Sequence, residues 1–430
     1  MSSVKEVRPA GPLQGTVKLP PDKSISHRAA MFAALHEGTS HISNYSTAAD
    51  PQSTLACLKQ LGIEMEHQGQ EVRIEGRGRY GFRRPEKPLD CGNSGTTMRL
   101  LSGIVGGAGI ECTLIGDESL SARTMKRIIN PLLAMGIDVS GREGNYAPLK
   151  FQGNGTSKAL QFKLPIPSAQ LKSCVLLAGL YGEDTTKVIE TTPSRDHTER
   201  LLQLPIEHEE GRSIISSNSS HSIPAQSYRI PNDFSAAAFW LVAGSIQGGS
   251  SIRLIDVGIN PSRTGALHVL KQMDADISVE NENRQAIEPS ADLLVAGSSL
   301  QPVNITEDIV PNCIDEIPIL TIAMLFAEGT STIRGAEELR HKETDRLAAL
   351  ADMLQKAGAD FKELDDGLEI HGNPEFVPRP ATYSSYHDHR IAMAAAVLAL
   401  KGSKPSRIEG AACTDISYPD FWDDLVMLTN

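Results

Sequence analysis

The sequence predicts an α/β fold assembled from five or six copies of one unit of roughly 70 residues. Two observations carry that expectation. First, an apolar helical run, a glycine and a short β-prone run recur in that order, with the glycine at Gly38, Gly109, Gly182, Gly249, Gly329 and Gly402. Second, a heptapeptide that closes an amphipathic helix and opens a strand lies between those glycines. Leu58–Glu64 is matched by Leu132–Asp138, Leu201–Glu207, Leu270–Asp276 and Leu354–Asp360. Any α/β chain alternates helices and strands, but alternation alone would not put five heptapeptides in one phase.

Each element of the unit has a local reason. The first helix is apolar, as in Ala29–Leu35. It stops at a glycine because the residue beyond a helix C-terminus adopts φ > 0, which glycine does without steric cost. The next strand is rich in Thr, Ser and Ile, as in Thr330–Ile333. The second helix is amphipathic and ends in the heptapeptide. A hairpin-like strand pair often follows, as in Glu71–Glu75 and Gly367–His371. The unit thus reads helix–strand–helix–strand–strand, with three equivalent units expected per domain.

Length and composition bound the function. A chain of 430 residues is expected to form two or three domains. Hydrophobic residues at 40% and charged residues at 22% fit a globular chain and exclude disorder. Lys and Arg number 41 against 53 Asp and Glu, a net charge of −12. Such a surface repels nucleic acid and anionic lipid, so any anionic ligand must meet a local concentration of cations. The six cysteines form no CxxC pair or Cys/His cluster, which argues for a reduced, cytoplasmic setting without disulfides or zinc. Met1–Gly11 has no apolar core of a secretory signal. The longest apolar runs, Ile317–Ala327 and Ile391–Leu400, fall short of the ~18 residues of a membrane span.

The residues just before each first helix are unusually chemical. They are Asp22–Arg28 (DKSISHR), Gly92–Arg99 (GNSGTTMR), Ser168–Lys172 (SAQLK), Asn232–Ser235 (NDFS), Asp315-Glu316 and Asp388-His389-Arg390. A helix N-terminus offers unpaired N–H groups and partial positive charge, a ready site for phosphate or carboxylate. Lys23 and Arg28 add fixed charge there, and Gly92 and Gly95 permit close backbone approach. Ser168 and Asp233 are equally well explained as plain N-caps. Capping needs one oxygen, so it does not explain both Lys23 and Arg28. No GK[ST] follows the glycines, which excludes a Walker A loop. Second helices open with Arg123, Arg195, Arg263 and Arg346, where the helix dipole disfavours cations unless anions sit nearby. For Arg263 a solvated or carboxylate-paired side chain is the preferred reading. Glu343 and Arg346, at i and i+3, are expected on one helix face, either as a surface ion pair or as a proton-transfer carboxylate beside an anion-binding guanidinium. Asp388 could orient the His389 imidazole for acid–base work.

Together, Pro21–Arg28, Gly92–Arg99, Arg195–Glu199, Lys342–Arg346 and Asp388–Arg390 closely resemble the motifs of the 5-enolpyruvylshikimate-3-phosphate synthase family, in order from Pro9 to Phe421. The resemblance implies an α/β (α+β) fold: a two-domain inside-out α/β barrel of six βαβαββ repeats, three per domain, with the active site in the cleft between them. It implies crossings near Pro20 and Pro231. Residues 1–20 plus 232–430 would form the phosphoenolpyruvate side, and residues 21–231 the shikimate 3-phosphate side. The implied reaction joins these two substrates through a tetrahedral intermediate and releases phosphate. It calls for no metal or organic cofactor, no nucleic acid, no membrane and only a cytoplasmic monomer.

By motif match, Lys23, Ser24, Arg28, Ser168, Ala169, Gln170, Arg195, Asp315 and Lys342 would hold shikimate 3-phosphate. Lys23, Gly95, Arg123, Gln170, Arg346 and Arg390 would hold phosphoenolpyruvate. Asp315 would take or orient the 5-hydroxyl proton, Glu343 would handle the C3 proton with Lys23 assisting, and His389 would support them. One departure stands out: Ile416 occupies a place where some members carry lysine. Gly95 keeps the pocket small-walled, which implies access for glyphosate. Two rivals are the sister enzyme acting on UDP-N-acetylglucosamine and a non-catalytic anion-binding repeat protein. The sister enzyme usually carries a cysteine in the loop matched by Gly116–Leu120, where this chain has none.

Overall fold

Each repeat folds into a small mixed sheet whose first strand pair is parallel and whose remaining pairs are antiparallel. In the four-stranded sheets two antiparallel strands close as a hairpin, whereas, among the described residues, the sheet of Thr382–Ser384, Ser406–Glu409 and Val4–Val7 has three strands and no such hairpin. Among the residues described in the computed structural model, 3–153, 157–224 and 227–429, there are six such sheets. In one, Leu89–Asp90 runs parallel to Glu111–Ile115, followed by antiparallel Tyr146–Gln152 and Val139–Arg142. The chain divides into two units: Pro21–Ile230, and Met1–Pro20 together with Pro231–Asn430.

The Pro21–Ile230 unit holds α1 (Lys23–Leu35), α2 (Ala49–Gln60), α3 (Gly95–Gly107), α4 (Glu118–Ala122), α5 (Lys126–Ala134), α6 (Ala169–Gly179) and α7 (His197–Leu202). Its first sheet is completed by Ser227–Arg229, from the far end of the unit, parallel to Glu37–Ser43. The discontinuous unit holds α8 (Phe234–Ile246), α9 (Gly265–Gln272), α10 (Val310–Cys313), α11 (Ile317–Leu325), α12 (Arg346–Ala357), α13 (His389–Leu400) and α14 (Phe421–Thr429). Here the chain start closes two sheets. Gln14–Val17 lies parallel to Ser251–Gly258, and Val4–Val7 lies antiparallel to Ser406–Glu409.

First helices are apolar all round, and a helix of that kind must be enclosed. Every residue of α8 is buried, and α8, α11 and α13 pack on one another. In the other unit α3 packs on both α1 and α6. Sheets and amphipathic second helices form the outside, so helices sit within and strands without. Both units have their own apolar core. Among the described residues no helix is long and apolar enough to cross a membrane.

The heptapeptides close helices and open strands as expected, and their fifth position explains how. Gly62, Gly136, Asp274 and Gly358 all take φ > 0 there. In the third copy that place is Pro205, whose ring fixes φ negative, and the left-handed turn moves to Gln203 at φ 53°. The glycines after the first helices need one correction. Gly38, Gly109, Gly249 and Gly329 have positive φ, but Gly182 and Gly402 do not. At Gly182 the reason for glycine is space: a Cβ would lie 2.8 Å from the Ser157 carbonyl oxygen.

Candidate active site

Five first helices begin as their sequences suggest, with a side-chain cap. Asp22, Ser94, Ser168, Asp233 and Asp388 each accept a backbone N–H of the following turn. The exception is α11, where Glu316 caps without a side-chain bond because its carboxylate is used elsewhere.

In the Pro21–Ile230 unit the candidate residues form a cationic group. Lys23 opens α1 and pairs with Asp50 of α2 at 3.1 Å. Arg28, one turn later and buried, donates from Nε to Thr198 Oγ1 (2.8 Å), from Nη1 to the Ser24 carbonyl (3.0 Å) and from Nη2 to Ser173 Oγ (3.1 Å). Gly95 opens α3. A Cβ there would lie 2.7 Å from Arg99 Nη1 and 3.8 Å from Arg123 Nη1, so two guanidinium groups flank this glycine. Arg99 donates to Gln170 Oε1 at 2.6 Å, and Gln170 donates onward to Thr96 Oγ1 at 2.9 Å. Arg123 donates to Asn93 Oδ1 (2.9 Å) and Ser119 Oγ (3.1 Å). Ser168, Ala169 and Gln170 form the half-buried start of α6, and Arg195 is half-buried just before α7. Behind the group, buried His27 meets Thr54 Oγ1 at 2.6 Å. Burial, then Lys23 and Arg28, hold its pKa well below the ordinary 6.5, so it is neutral.

The discontinuous unit carries an acidic group threaded on arginines. Arg346, the first residue of α12 and fully buried, donates to Asp388 Oδ2 at 2.8 Å, Asp315 Oδ1 at 3.3 Å and Glu343 Oε2 at 2.6 Å. Burial alone would lower the Arg346 pKa; the carboxylates of Asp388, Glu343 and Asp315 outweigh it and raise it. Arg390 donates to the Asp315 carbonyl and to Ser235 Oγ, both at 2.9 Å. Lys342 is half-buried; burial lowers its pKa against the pull of Asp315. His389 is buried in the first turn of α13. Asp388 caps that helix through Arg390 N–H at 2.8 Å and holds Arg346 with its other oxygen.

Two expectations need correction. Arg123 does not open a second helix: it is the C-cap of the short α4, which the sequence pattern did not separate from α5. Glu343 and Arg346 do not share a helix face. Asp345 takes the Ala348 N–H, so α12 starts at Arg346 and Glu343 meets it across the cap. Of the two readings offered for Arg263, carboxylate pairing holds. The side chain is buried and donates to Glu316 Oε1 at 2.9 Å and Ser235 Oγ at 2.5 Å. Sequence reasoning missed Asp50, and it named Arg99, Ser235 and Glu316 within their motifs without giving them a role. An acidic residue in a first turn, such as Asp50, reads only as a complement to the helix dipole. Ile416 ends a 3₁₀ turn, Ala411–Ile416, half-buried.

Residues 7–425 match the family model for EPSP synthase (3-phosphoshikimate 1-carboxyvinyltransferase). A 3-phosphoshikimate 1-carboxyvinyltransferase of Salinibacter ruber is 50% identical over 426 residues, 98% of each chain. The solved EPSP synthase of Acinetobacter baumannii superimposes with a TM-score of 0.87 at 38% identity, covering 100% of this chain and 98% of that one. The enolpyruvyl transferase NikO of Streptomyces tendae shares the fold at a TM-score of 0.77 and 16% identity, covering 99% and 97%.

Proposed function

The chain belongs to the EPSP synthase (3-phosphoshikimate 1-carboxyvinyltransferase) family, and from that premise we propose which residues carry its reaction. It transfers the enolpyruvyl group of phosphoenolpyruvate to the 5-hydroxyl of shikimate 3-phosphate and releases phosphate, within aromatic amino-acid biosynthesis. The hydroxyl oxygen adds to C2 while C3 gains a proton. The tetrahedral intermediate then loses that proton and phosphate. This chemistry needs a base for the hydroxyl, an acid for C3 and cations for two phosphates and two carboxylates.

In our reading the Pro21–Ile230 unit grips shikimate 3-phosphate with Lys23, Ser24, Arg28, Ser168, Ala169, Gln170 and Arg195. The other unit contributes Asp315 and Lys342. Lys23, Gly95, Arg123, Gln170, Arg346 and Arg390 hold phosphoenolpyruvate. Asp315 takes the 5-hydroxyl proton, Glu343 serves C3, Lys23 assists and His389 supports them. One substrate pair must therefore be held by residues of both units, and a cytoplasmic monomer suffices.

The observation that carries this reading is Arg346, whose guanidinium binds both candidate proton carriers, Asp315 and Glu343, residues separated in the chain by α11, a strand and a 3₁₀ turn. The test is Glu343→Gln in a phosphate-release assay. Turnover should fall by about 10²-fold or more with KM values largely kept; unchanged turnover removes Glu343 as the proton carrier. The same assay with UDP-N-acetylglucosamine as acceptor should show no release, since the loop Gly116–Leu120 lacks the cysteine of that sister enzyme.

A further inference from the structure

One buried charge cluster in the Pro21–Ile230 unit lies outside the residues assigned above. Lys172, in the first turns of α6, has no exposed side-chain surface. Its ammonium reaches Glu190 Oε1 and Oε2 at 3.2 and 3.0 Å, Glu199 Oε1 at 2.6 Å and the Ser194 carbonyl at 3.5 Å. Both carboxylates are buried as well. Three ionisable groups in an apolar interior are costly, and packed hydrophobic side chains often serve stability equally well. Stability is therefore a weak explanation for them.

Their connections suggest a better one. Glu190 ends the strand Thr186–Glu190, and its Oε1 accepts both the Ser194 N–H at 2.8 Å and the Ser194 hydroxyl. Loop 191–196 is thereby drawn onto the lysine, and the residue after Ser194 is Arg195. Glu199 lies on α7 beside Thr198, whose hydroxyl meets Ser173 Oγ of α6 at 2.7 Å and receives Arg28 Nε. One ammonium thus ties the start of α6, the Arg195 loop and the α7 face that holds Arg28. Burial raises the Glu199 pKa above the ordinary carboxylate range despite Lys172, as one carboxylate too many for one cation would require.

We propose that Lys172, Glu190 and Glu199 are positioning residues for shikimate 3-phosphate, fixing Arg195 and the α6 N-terminus before the substrate arrives. Contacts held in advance spare the ordering of a loop on binding, which otherwise weakens affinity. The inference rests on the assignment of Arg195 and Ser168 to that substrate.

Steady-state kinetics on the full chain, with each substrate varied in turn, test it. Glu190→Ala should raise KM for shikimate 3-phosphate by about tenfold or more, leaving kcat and KM for phosphoenolpyruvate within about threefold. Glu190→Gln keeps an oxygen for Ser194 and leaves Lys172 balanced by Glu199, so KM should return to within about threefold of the parent. Ser194→Ala, the milder lesion should Glu190→Ala not accumulate, should raise the same KM by about fivefold. Arg195→Gln is measured alongside. If it leaves KM for shikimate 3-phosphate unchanged, the assignment fails and the positioning role falls with it. If Arg195→Gln raises that KM but Glu190→Ala and Ser194→Ala do not, the assignment stands and the positioning role is overturned. Equal rises for both substrates, or Glu190→Gln as damaging as Glu190→Ala, also overturn it.

Discussion

Replacing Arg346 by lysine keeps the positive charge and removes the fork. The guanidinium spreads three bonds over Asp388, Asp315 and Glu343 at 2.8, 3.3 and 2.6 Å. An ammonium on a shorter reach can keep one of them, and buried Asp388 has the strongest claim. Two charge-assisted bonds at about 1.5–3 kcal/mol each would then be lost. The Glu343 and Asp315 side chains are 22% and 18% exposed, so water replaces part of that loss. A net loss of about 2–3 kcal/mol corresponds to a fall of about 30- to 150-fold in kcat/KM. The assay is phosphate release with both substrates varied, paired with a thermal melt that confirms folding. A kcat/KM within about threefold of the parent would refute the claim that this fork aims the two proton carriers.

Three further outcomes follow from individual contacts. In Gly95→Ala the new methyl displaces the Arg99 guanidinium and loosens its bond to Gln170; KM for phosphoenolpyruvate should rise by about tenfold, and inhibition by glyphosate should weaken in the same titration. Asp50→Asn removes the carboxylate beside Lys23 and should lower kcat/KM by about tenfold, whereas an unaffected enzyme would make the pair purely structural. His27 is held neutral by a lowered pKa, so the unfolded chain binds its proton first and stability is lost as pH falls below the ordinary 6.5. Urea unfolding at neutral pH and at about pH 5 should show His27→Gln losing less stability than the parent on acidification, and equal losses would contradict the assigned burial.

Periodic features were legible in the chain because they obey local rules. Apolar first helices, amphipathic second helices and the turn at Gly62, Gly136 and Gly358 each follow from spacing and backbone preference. What stayed hidden depends on pairs distant in sequence. Lys23 and Asp50 meet because α1 packs on α2, and Arg263 finds Glu316 because α9 lies beside α10 and α11. No local pattern distinguishes an arginine that will be buried against a carboxylate from one that faces water. The misplaced helix start at Glu343 has a smaller cause. Asp345 lies inside the motif as a cap, and its acceptance of the Ala348 N–H starts the helix at Arg346, three residues after Glu343. Four strands that close the sheets, Val4–Val7, Gln14–Val17, Asn304–Ile305 and Ser227–Arg229, are short and carry no repeat signature.

The two groups differ in the contacts their cations make, and that difference bears on how the labour is divided. In the first, Lys23 pairs with Asp50, while Arg28, Arg99 and Arg123 donate to neutral oxygens of Thr198, Ser24 and Ser173, of Gln170, and of Asn93 and Ser119. Around Arg263, Arg346 and Arg390 stand Asp233, Asp315, Glu316, Glu343 and Asp388. Guanidinium groups already matched by carboxylates bind a further anion weakly, because the ligand must compete with or repel those partners. Substrate charge should therefore be met chiefly on the first group, with Arg346 and Arg390 adding a weaker hold on phosphoenolpyruvate, while the second group, rich in proton-accepting oxygens, suits the transfer steps. Neutralising Arg28 or Arg123 should accordingly raise KM with kcat largely kept, and KM should climb with ionic strength as screening grows. Neutralising Glu343 should cut kcat with KM little changed, and neutralising Asp315, which also holds shikimate 3-phosphate, should cut kcat and raise that substrate's KM. The opposite pattern, with kcat lost at Arg28 and KM lost at Glu343, would mean that binding and proton transfer are not partitioned by charge in this chain.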